Sequence, residues 1–154
     1  MEYISAPQKA GRRACFLCID PKDDESALLL VRKGRAFAVM NRYPYANGHV
    51  MVVPERHLGL IEELTDKEML DMMRLVRLVS SALRASFGAQ GLNVGMNMGK
   101  AAGAGLEEHL HIHIVPRWIG DTNFMPVLGE TKVISEHLYE SYRKLKEKVH
   151  ELLL

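Results

Sequence analysis

Three histidines alternate with aliphatic residues in the segment His109-Leu-His-Ile-His-Ile-Val-Pro116. In an extended strand, side chains at every second position lie on the same face, about 6.5–7 Å apart per step. The alternation therefore predicts a strand over residues 109–115 in which all three imidazoles share one face. The opposite face is aliphatic and is predicted to enter a core, through Leu110, Ile112 and Ile114.

Three interpretations of this histidine face are open. The side chains are solvent-exposed, or all three bind one zinc ion, or each has a different task. Ligands that share a zinc ion with bonds of about 2 Å lie only about 3.3 Å apart, so His109 and His113 cannot easily reach one ion from a straight strand. Strict alternation is unusual for a merely solvated face. The pattern favours a division of labour, in which one imidazole attacks a substrate, one binds an anion and one is bound elsewhere.

Two cysteines, Cys15 and Cys18, form an isolated C-x-x-C pair. The residues that follow do not resemble the strand and helix expected around a thioredoxin-like redox motif. As half of a tetrahedral, structural zinc site, the pair needs two histidines from elsewhere, and His57 and His109 are the candidates. Two free thiols and a surface His57 are the alternative, and spacing alone leaves both open.

Composition narrows the functional classes. The chain has 154 residues, 47% of them hydrophobic and 25% charged, which is ordinary for a soluble globular protein with a real core. A net charge of +1 indicates neither nucleic acid nor an acidic membrane as a partner, so any anion must be bound locally. Because no signal-like apolar segment opens the sequence and no run of about 18 apolar residues occurs, we predict a cytoplasmic protein.

The rest of the sequence predicts short strands and two helices. A capping box from Thr65 to Glu68 begins a helix that Gly88 ends, and Ser135 begins a C-terminal helix. Besides the histidine strand, strands are predicted over residues 28–32, 35–40, 49–53 and 91–99.

Strands joined by short turns indicate an antiparallel sheet with flanking helices, an α+β fold. We predict a single domain over residues 1–154, with a core at 15–125 and a C-terminal extension that carries the last helix at 126–154.

A glycine- and alanine-rich loop, residues 99–105, precedes the histidine strand. Small residues let backbone amides approach an anion closely, which favours phosphate binding. The loop matches no phosphate-binding fingerprint, however, and a plain connection is an equally good interpretation. Lys100 within it is expected to be solvated.

These residues together resemble the histidine triad (HIT) superfamily of nucleotidyl transferases and hydrolases. Its signature, three histidines alternating with hydrophobic residues, matches residues 109–115 at every position. Upstream, Asn41-Arg-Tyr-Pro44 and Asn47-Gly-His-Val-Met-Val-Val-Pro54 resemble the family's asparagine and Gly-His segments. Downstream, residues 116–125 and 131–133 resemble the bacterial diadenosine tetraphosphate phosphorylase branch.

The resemblance implies roles for the matching residues. His111, the middle histidine, would be the nucleophile that attacks the α-phosphorus of an adenine dinucleotide and forms a covalent nucleotidyl-histidine. The nucleoside and its phosphates would be bound by Asn41, His49, Asn97, Gly105 and His113. In zinc-containing members the first triad histidine joins two cysteines and another histidine, which implies a structural zinc ion held by Cys15, Cys18, His57 and His109.

The acceptor of the nucleotidyl group defines the reaction. Many triad hydrolases place Ser or Thr just before the triad, whereas residues 103–108 here carry no hydroxyl or amide side chain. The phosphorylase-like branch shares such a segment, so we predict that inorganic phosphate attacks and that diadenosine tetraphosphate yields ADP and ATP. The alternatives are a hydrolase of dinucleoside polyphosphates or nucleoside phosphoramidates, and a zinc-stabilised nucleotide-binding module without turnover.

Two further expectations concern the oligomeric state and the role of Trp118 toward the second base of a dinucleotide. The family resemblance implies a homodimer whose strands join across a two-fold axis. Trp118 either stacks on the distal base or covers the sheet, and its position in the sequence does not distinguish the two.

Overall fold

The computed structural model describes residues 15–20, 24–121 and 138–154. Within these ranges the chain forms five strands and two α-helices. They are β1 (Leu29–Lys33), β2 (Ala36–Met40), β3 (Val50–Pro54), α1 (Asp66–Phe87), β4 (Gly91–Gly95), β5 (Ile112–Arg117) and α2 (Leu138–Glu151).

The five strands form one antiparallel sheet in the order β1-β2-β3-β5-β4. Helix α1 packs on β2, β3 and β5, while α2 packs on β1 and on α1 itself. The predicted α+β fold, an antiparallel sheet with flanking helices, is therefore confirmed. Neither helix in the described part of the chain has the length and apolar character needed to cross a membrane.

The histidine strand begins later than predicted. Regular pairing between β3 and β5 starts at Val52 and Ile112, so His109 and His111 precede the strand. The reason is local: the Leu110 amide donates a hydrogen bond of 2.7 Å to the carbonyl of Leu58, which lies in the loop beyond β3. This segment is therefore held by a loop rather than by a neighbouring strand.

The other strand boundaries also differ from the prediction. Leu28, predicted to open the first strand, has a left-handed backbone with φ of 58° and belongs to the preceding turn. The predicted strand at 91–99 stops at Gly95, the last residue with a register partner on β5. Beyond it Gly99, with φ of 77°, leads into a single 3-10 turn, Lys100–Ala102.

The predicted boundaries of α1 are confirmed. The Thr65 side chain accepts a hydrogen bond from the Glu68 amide, and the Glu68 carboxylate accepts one from the Thr65 amide; Gly88 ends the helix in the left-handed conformation. Glu68 is buried and also accepts a 2.6 Å hydrogen bond from Arg56, which lowers the pKa of its carboxyl to about 2 in spite of burial. This ion pair fixes Arg56 and so the start of the loop that contains His57.

Helix α2 connects the C-terminal part of the chain to the sheet. Ser141 is fully buried, and its hydroxyl donates a hydrogen bond of 2.6 Å to the side-chain oxygen of Asn47. The Tyr142 hydroxyl donates to the carbonyl of Leu29 at 3.0 Å. The helix therefore supports both β1 and the turn before β3. The predicted cap, Ser135, lies outside the described residues.

Candidate active site and metal centre

The middle histidine of the triad has one ring nitrogen bound and the other available. His111 Nδ1 lies 2.8 Å from the carbonyl oxygen of His109, so this nitrogen carries the proton and donates it. The lone pair of the neutral ring is therefore on Nε2. Burial lowers the pKa of His111, partly opposed by that hydrogen bond, so the ring is neutral at neutral pH. A neutral, oriented imidazole of this kind is a nucleophile.

The third histidine of the triad is oriented by a chain of hydrogen bonds. The Tyr45 amide donates to His49 Nδ1 at 3.1 Å, which leaves the proton of His49 on Nε2. His49 Nε2 lies 2.9 Å from His113 Nδ1 and donates to it, so the proton of neutral His113 is on Nε2. Burial and the nearby His111 lower the pKa of His113 to about 4. His113 therefore presents an uncharged N–H donor, while His111 presents a lone pair.

The rings of His111 and His113 are neighbours. Their centroids are 4.7 Å apart. In register, His113 is paired with Met51, and Met51 with Val39, so these three side chains share a face. Val39 and Met51 line a cavity of about 490 Å³, which places the cavity beside the histidines.

This cavity has the size and character of a site for a small organic ligand. Its walls are largely apolar and come from the C-x-x-C segment, β2 and β3. They include Phe16, Leu17, Ile19, Val39, Met40 and Met51. Asn41 lies on the cavity wall, and its side-chain nitrogen is 3.5 Å from His49 Nδ1. Asn41 thus connects the cavity to the histidine cluster.

Four predicted metal ligands converge at the other end of the triad. The donor atoms of Cys15, Cys18, His57 and His109 all lie within 4.8 Å of one another. His109 Nδ1 is 3.4 Å from Cys15 Sγ and 3.7 Å from Cys18 Sγ, and His57 Nδ1 is 3.2 Å from Cys18 Sγ. Ligand pairs on a tetrahedral zinc ion are separated by about 3.5 Å, so this cluster could bind a metal ion.

The chemistry of the donors also fits a metal. His109 Nε2 lies 2.9 Å from the carbonyl of Pro54 and donates to it, so its lone pair is on Nδ1, the atom that faces the cysteines. His57 Nε2 is 4.0 Å from a carboxylate oxygen of Glu108. Burial raises the pKa of Cys15 to about 11, and a cation bound at this cluster would favour the thiolate.

Close backbone packing brings the two histidine ligands together. Gly59 lies against the carbonyl of Glu107, and a Cβ at this position would collide with that oxygen. Together with the Leu110–Leu58 hydrogen bond, this contact joins the loop after His57 to the segment before His109. Only glycine allows the two loops to approach so closely.

Two predicted phosphate-binding residues, Asn97 and Gly105, lie between β4 and the triad. Gly95 is the register partner of His113, so the chain from Gly95 to the half-buried Asn97 continues toward the end of β5 at which His111 lies. Gly105 is exposed. In the loop of residues 99–105 the amides of Ala102, Gly103 and Ala104 donate to carbonyls within the loop, and Gly105 is not among these donors. The roles of Asn97 and Gly105 stay predictions.

Trp118 and Lys100 have different surroundings. The half-buried indole of Trp118 donates from Nε1 to the carbonyl of Phe87, at the end of α1, at 3.2 Å. Lys100 is exposed, in line with its expected solvation.

Sequence reasoning missed the residues that contact the site histidines through backbone atoms or from neighbouring loops. The sequence predicted no role for Tyr45, yet its amide sets the tautomer of His49 and its ring centroid is 4.7 Å from that ring. The sequence likewise predicted no role for Glu108, which is half-buried beside His57. The aromatic residue four positions before His49 was a signal for the ring contact, whereas the amide of Tyr45 leaves none in the sequence.

Comparison with known proteins identifies the family. The model of the HIT domain matches residues 22–118. An AP-4-A phosphorylase from Mycobacterium tuberculosis is 42% identical over 130 residues, which cover 84% of this chain and 67% of that protein. A bis(5'-adenosyl)-triphosphatase from Dictyostelium discoideum is 37% identical over 82 residues, 53% of this chain and 54% of that protein.

A solved structure supports the fold. A Zn-bound histidine triad family protein from Mycobacterium smegmatis superposes with a TM-score of 0.72 at 24% identity, over 92% of this chain and 97% of that one.

Proposed function

The chain belongs to the HIT domain family, and on that premise we propose that it transfers an adenylyl group from diadenosine tetraphosphate to inorganic phosphate, giving ATP and ADP. The observation that carries the proposal is the neutral His111 ring, whose Nε2 lone pair is left free by the hydrogen bond from Nδ1 to the His109 carbonyl. The name and 42% identity of the Mycobacterium tuberculosis relative support the choice of substrate and acceptor.

In the first step, His111 Nε2 attacks the α-phosphorus of the dinucleotide. An N–P bond forms while the bond from that phosphorus to the bridging oxygen breaks. ATP is the leaving group and takes the electron pair of the broken bond. The product is an adenylyl group on His111. The developing imidazolium charge is stabilised because Nδ1–H already donates to the His109 carbonyl.

His113 and Asn41 bind the parts of the substrate on either side of the reacting phosphorus. The neutral His113 ring, with its proton on Nε2, donates a hydrogen bond to phosphate oxygens without a charge that would have to be desolvated. Asn41, on the cavity wall, binds the ribose of a nucleoside whose base occupies the apolar cavity. Asn97 and Gly105 complete the set along the phosphates.

In the second step, an oxygen of inorganic phosphate attacks the adenylyl phosphorus, the N–P bond breaks and ADP is released. Water at the same position would give AMP instead. Residues 103–108 lack the hydroxyl or amide side chain that many triad hydrolases place before the triad, as in the phosphorylase-like branch, which favours phosphate as the acceptor.

The acceptor is tested by supplying diadenosine tetraphosphate with and without inorganic phosphate. We expect turnover to rise with phosphate concentration to saturation and to yield equal amounts of ADP and ATP, measured by ion-exchange chromatography. Sulfate at matched ionic strength is the control for a general salt effect. Turnover that is indifferent to phosphate and yields AMP would reject phosphorolysis. The remaining hypothesis would then be a hydrolase of dinucleoside polyphosphates or nucleoside phosphoramidates. The name of the Dictyostelium discoideum relative, a bis(5'-adenosyl)-triphosphatase, supports a hydrolase.

The four-residue cluster binds zinc in this proposal. Two thiolates and two imidazoles are the donor set of closed, tetrahedral zinc sites. Such a site has no open position for substrate, so Cys15, Cys18, His57 and His109 are structural ligands. They hold the carbonyl of His109 in the position from which it orients His111.

Assembly and organisation are proposed from the fold. Residues 1–154 form a single domain, with a core at 15–125 and a C-terminal extension at 126–154 whose helix α2 packs on β1. The enzyme is a cytoplasmic homodimer in which sheets join at an edge across a two-fold axis. β4 ends the sheet, and the half-exposed side chain of Val94 on it favours β4 as that edge.

A further inference from the structure

The segment from Cys15 to Asp20 belongs to two sites at once. Cys15 and Cys18 supply two of the four metal donors, while all six residues of the segment line the 490 Å³ cavity beside the histidines. We propose that the metal is a determinant of nucleotide binding: the bound ion orders this wall of the cavity, and nucleotide and metal each raise the affinity of the other. The inference rests on the proposed function, because it takes the cavity as the nucleoside site.

The geometry of the segment explains why a metal would order it. The Cys18 amide donates to the Cys15 carbonyl at 3.0 Å and so closes a tight turn. Within this turn Leu17 is almost completely buried in the core, whereas the ring of Phe16 is half-exposed and lines the cavity. Thiolates bound to an ion fix both ends of the turn, and the position of Phe16 follows from that.

The metal also connects two separate parts of the fold. The two cysteines come from the cavity wall, whereas His57 and His109 come from loops at the end of β3 and before β5. An ion shared by all four residues therefore attaches the wall to the sheet.

Arg32 provides a second attachment that does not depend on the metal. Its guanidinium donates to the carbonyl of Ile19 at 2.9 Å and to the carboxylate of Glu55 at 2.7 and 2.8 Å. Arg32 thus ties the end of the segment to β1 and to the residues just before His57. Arg32 holds the Ile19 end of the segment, whereas the two metal donors lie at the ends of the turn from Cys15 to Cys18, so this turn is the part that the metal would order.

Coupling of this kind is reciprocal. If the metal raises the affinity for a nucleotide by some factor, the nucleotide raises the affinity for the metal by the same factor. Couplings between sites are typically about 5- to 150-fold, and we expect about tenfold here because one turn is ordered. The effect of the nucleotide on metal affinity provides the test, because it can be measured on folded, metal-loaded protein.

The test measures zinc affinity by competition with a chromophoric chelator, with and without AMP, which occupies the nucleoside site without being turned over. Titration calorimetry first establishes AMP binding to the zinc-loaded protein. We expect saturating AMP to tighten zinc binding about tenfold. AMP that binds but leaves zinc affinity unchanged overturns the coupling and leaves the proposed function intact. A zinc-loaded protein that does not bind AMP overturns the nucleoside site itself, and with it the proposed function.

Two variants test whether Phe16 carries the coupling between AMP binding and zinc affinity. Phe16→Ala keeps all four metal donors but removes a ring from the cavity wall, so AMP should bind more weakly and its effect on zinc affinity should shrink toward onefold. Leu70→Ala removes a half-exposed apolar side chain from α1, away from both sites, and should retain the tenfold effect. A Phe16→Ala protein with undiminished coupling would contradict the role given to this segment.

Discussion

Replacing His111 by asparagine is expected to lower kcat for diadenosine tetraphosphate by at least about a thousandfold, because removal of a covalent nucleophile leaves only binding and electrostatic effects. Asparagine has a side-chain N–H that can still donate to the His109 carbonyl, but it has no basic lone pair to attack phosphorus. The affinity for AMP and the melting temperature should change little. Steady-state kinetics, calorimetry and thermal unfolding measure the three quantities.

The matched control is His150→Asn. His150 is an exposed histidine on α2 that contacts the carbonyl of Leu30, away from the cavity, and its loss should leave kcat unchanged. A His111→Asn protein with wild-type turnover would show that another group is the nucleophile. Loss of activity together with loss of AMP binding would indicate a damaged site rather than a missing nucleophile.

Removal of the metal is expected to have the largest effect on stability. A ligand that binds only the folded state stabilises it in proportion to the logarithm of its concentration over Kd, so metal at about a thousand times its Kd contributes about 4 kcal/mol to the free energy of unfolding. The cluster joins two loops and the turn from Cys15 to Cys18, and Cys15 and His109 are buried. We expect one zinc ion per chain and a large fall in melting temperature on chelation.

The variant Cys15→Ser separates a metal effect from a packing effect. With zinc present it should melt well below the wild type, because one of four donors is lost. After chelation the two proteins should melt at similar temperatures, since serine is close to cysteine in size. Wild-type protein whose melting temperature is unchanged by complete metal removal would contradict a structural metal site. Metal content by mass spectrometry accompanies each melt.

The parts of the fold that were predictable are those with local causes. The capping box of Thr65 and Glu68 and the left-handed Gly88 bound α1 because each acts within one helical turn. The different surroundings of the triad histidines were also predictable in outline, since two strand steps separate the outer pair. His109 does join the cysteines, and His113 does pair with His49.

The parts that were not predictable depend on contacts remote in sequence. The histidine strand starts at Ile112 because Leu110 is bound by the loop carbonyl of Leu58, a partner 52 residues away by the numbering of the two positions. The tautomers of His109 and His49 are set by the carbonyl of Pro54 and the amide of Tyr45, and backbone groups leave no trace in a residue pattern. The shared wall of cavity and metal cluster likewise required the assembled fold.

The central claim is that the Nε2 atom of His111 becomes bonded to phosphorus during turnover. Rapid quenching of the protein with diadenosine tetraphosphate labelled in the adenosine, in the absence of phosphate, tests it directly, followed by peptide mapping. We expect an acid-labile adenylyl group on the peptide that contains His111, formed within one turnover and discharged to labelled ADP when phosphate is added. Product release at the full rate with no label on that histidine would contradict the mechanism.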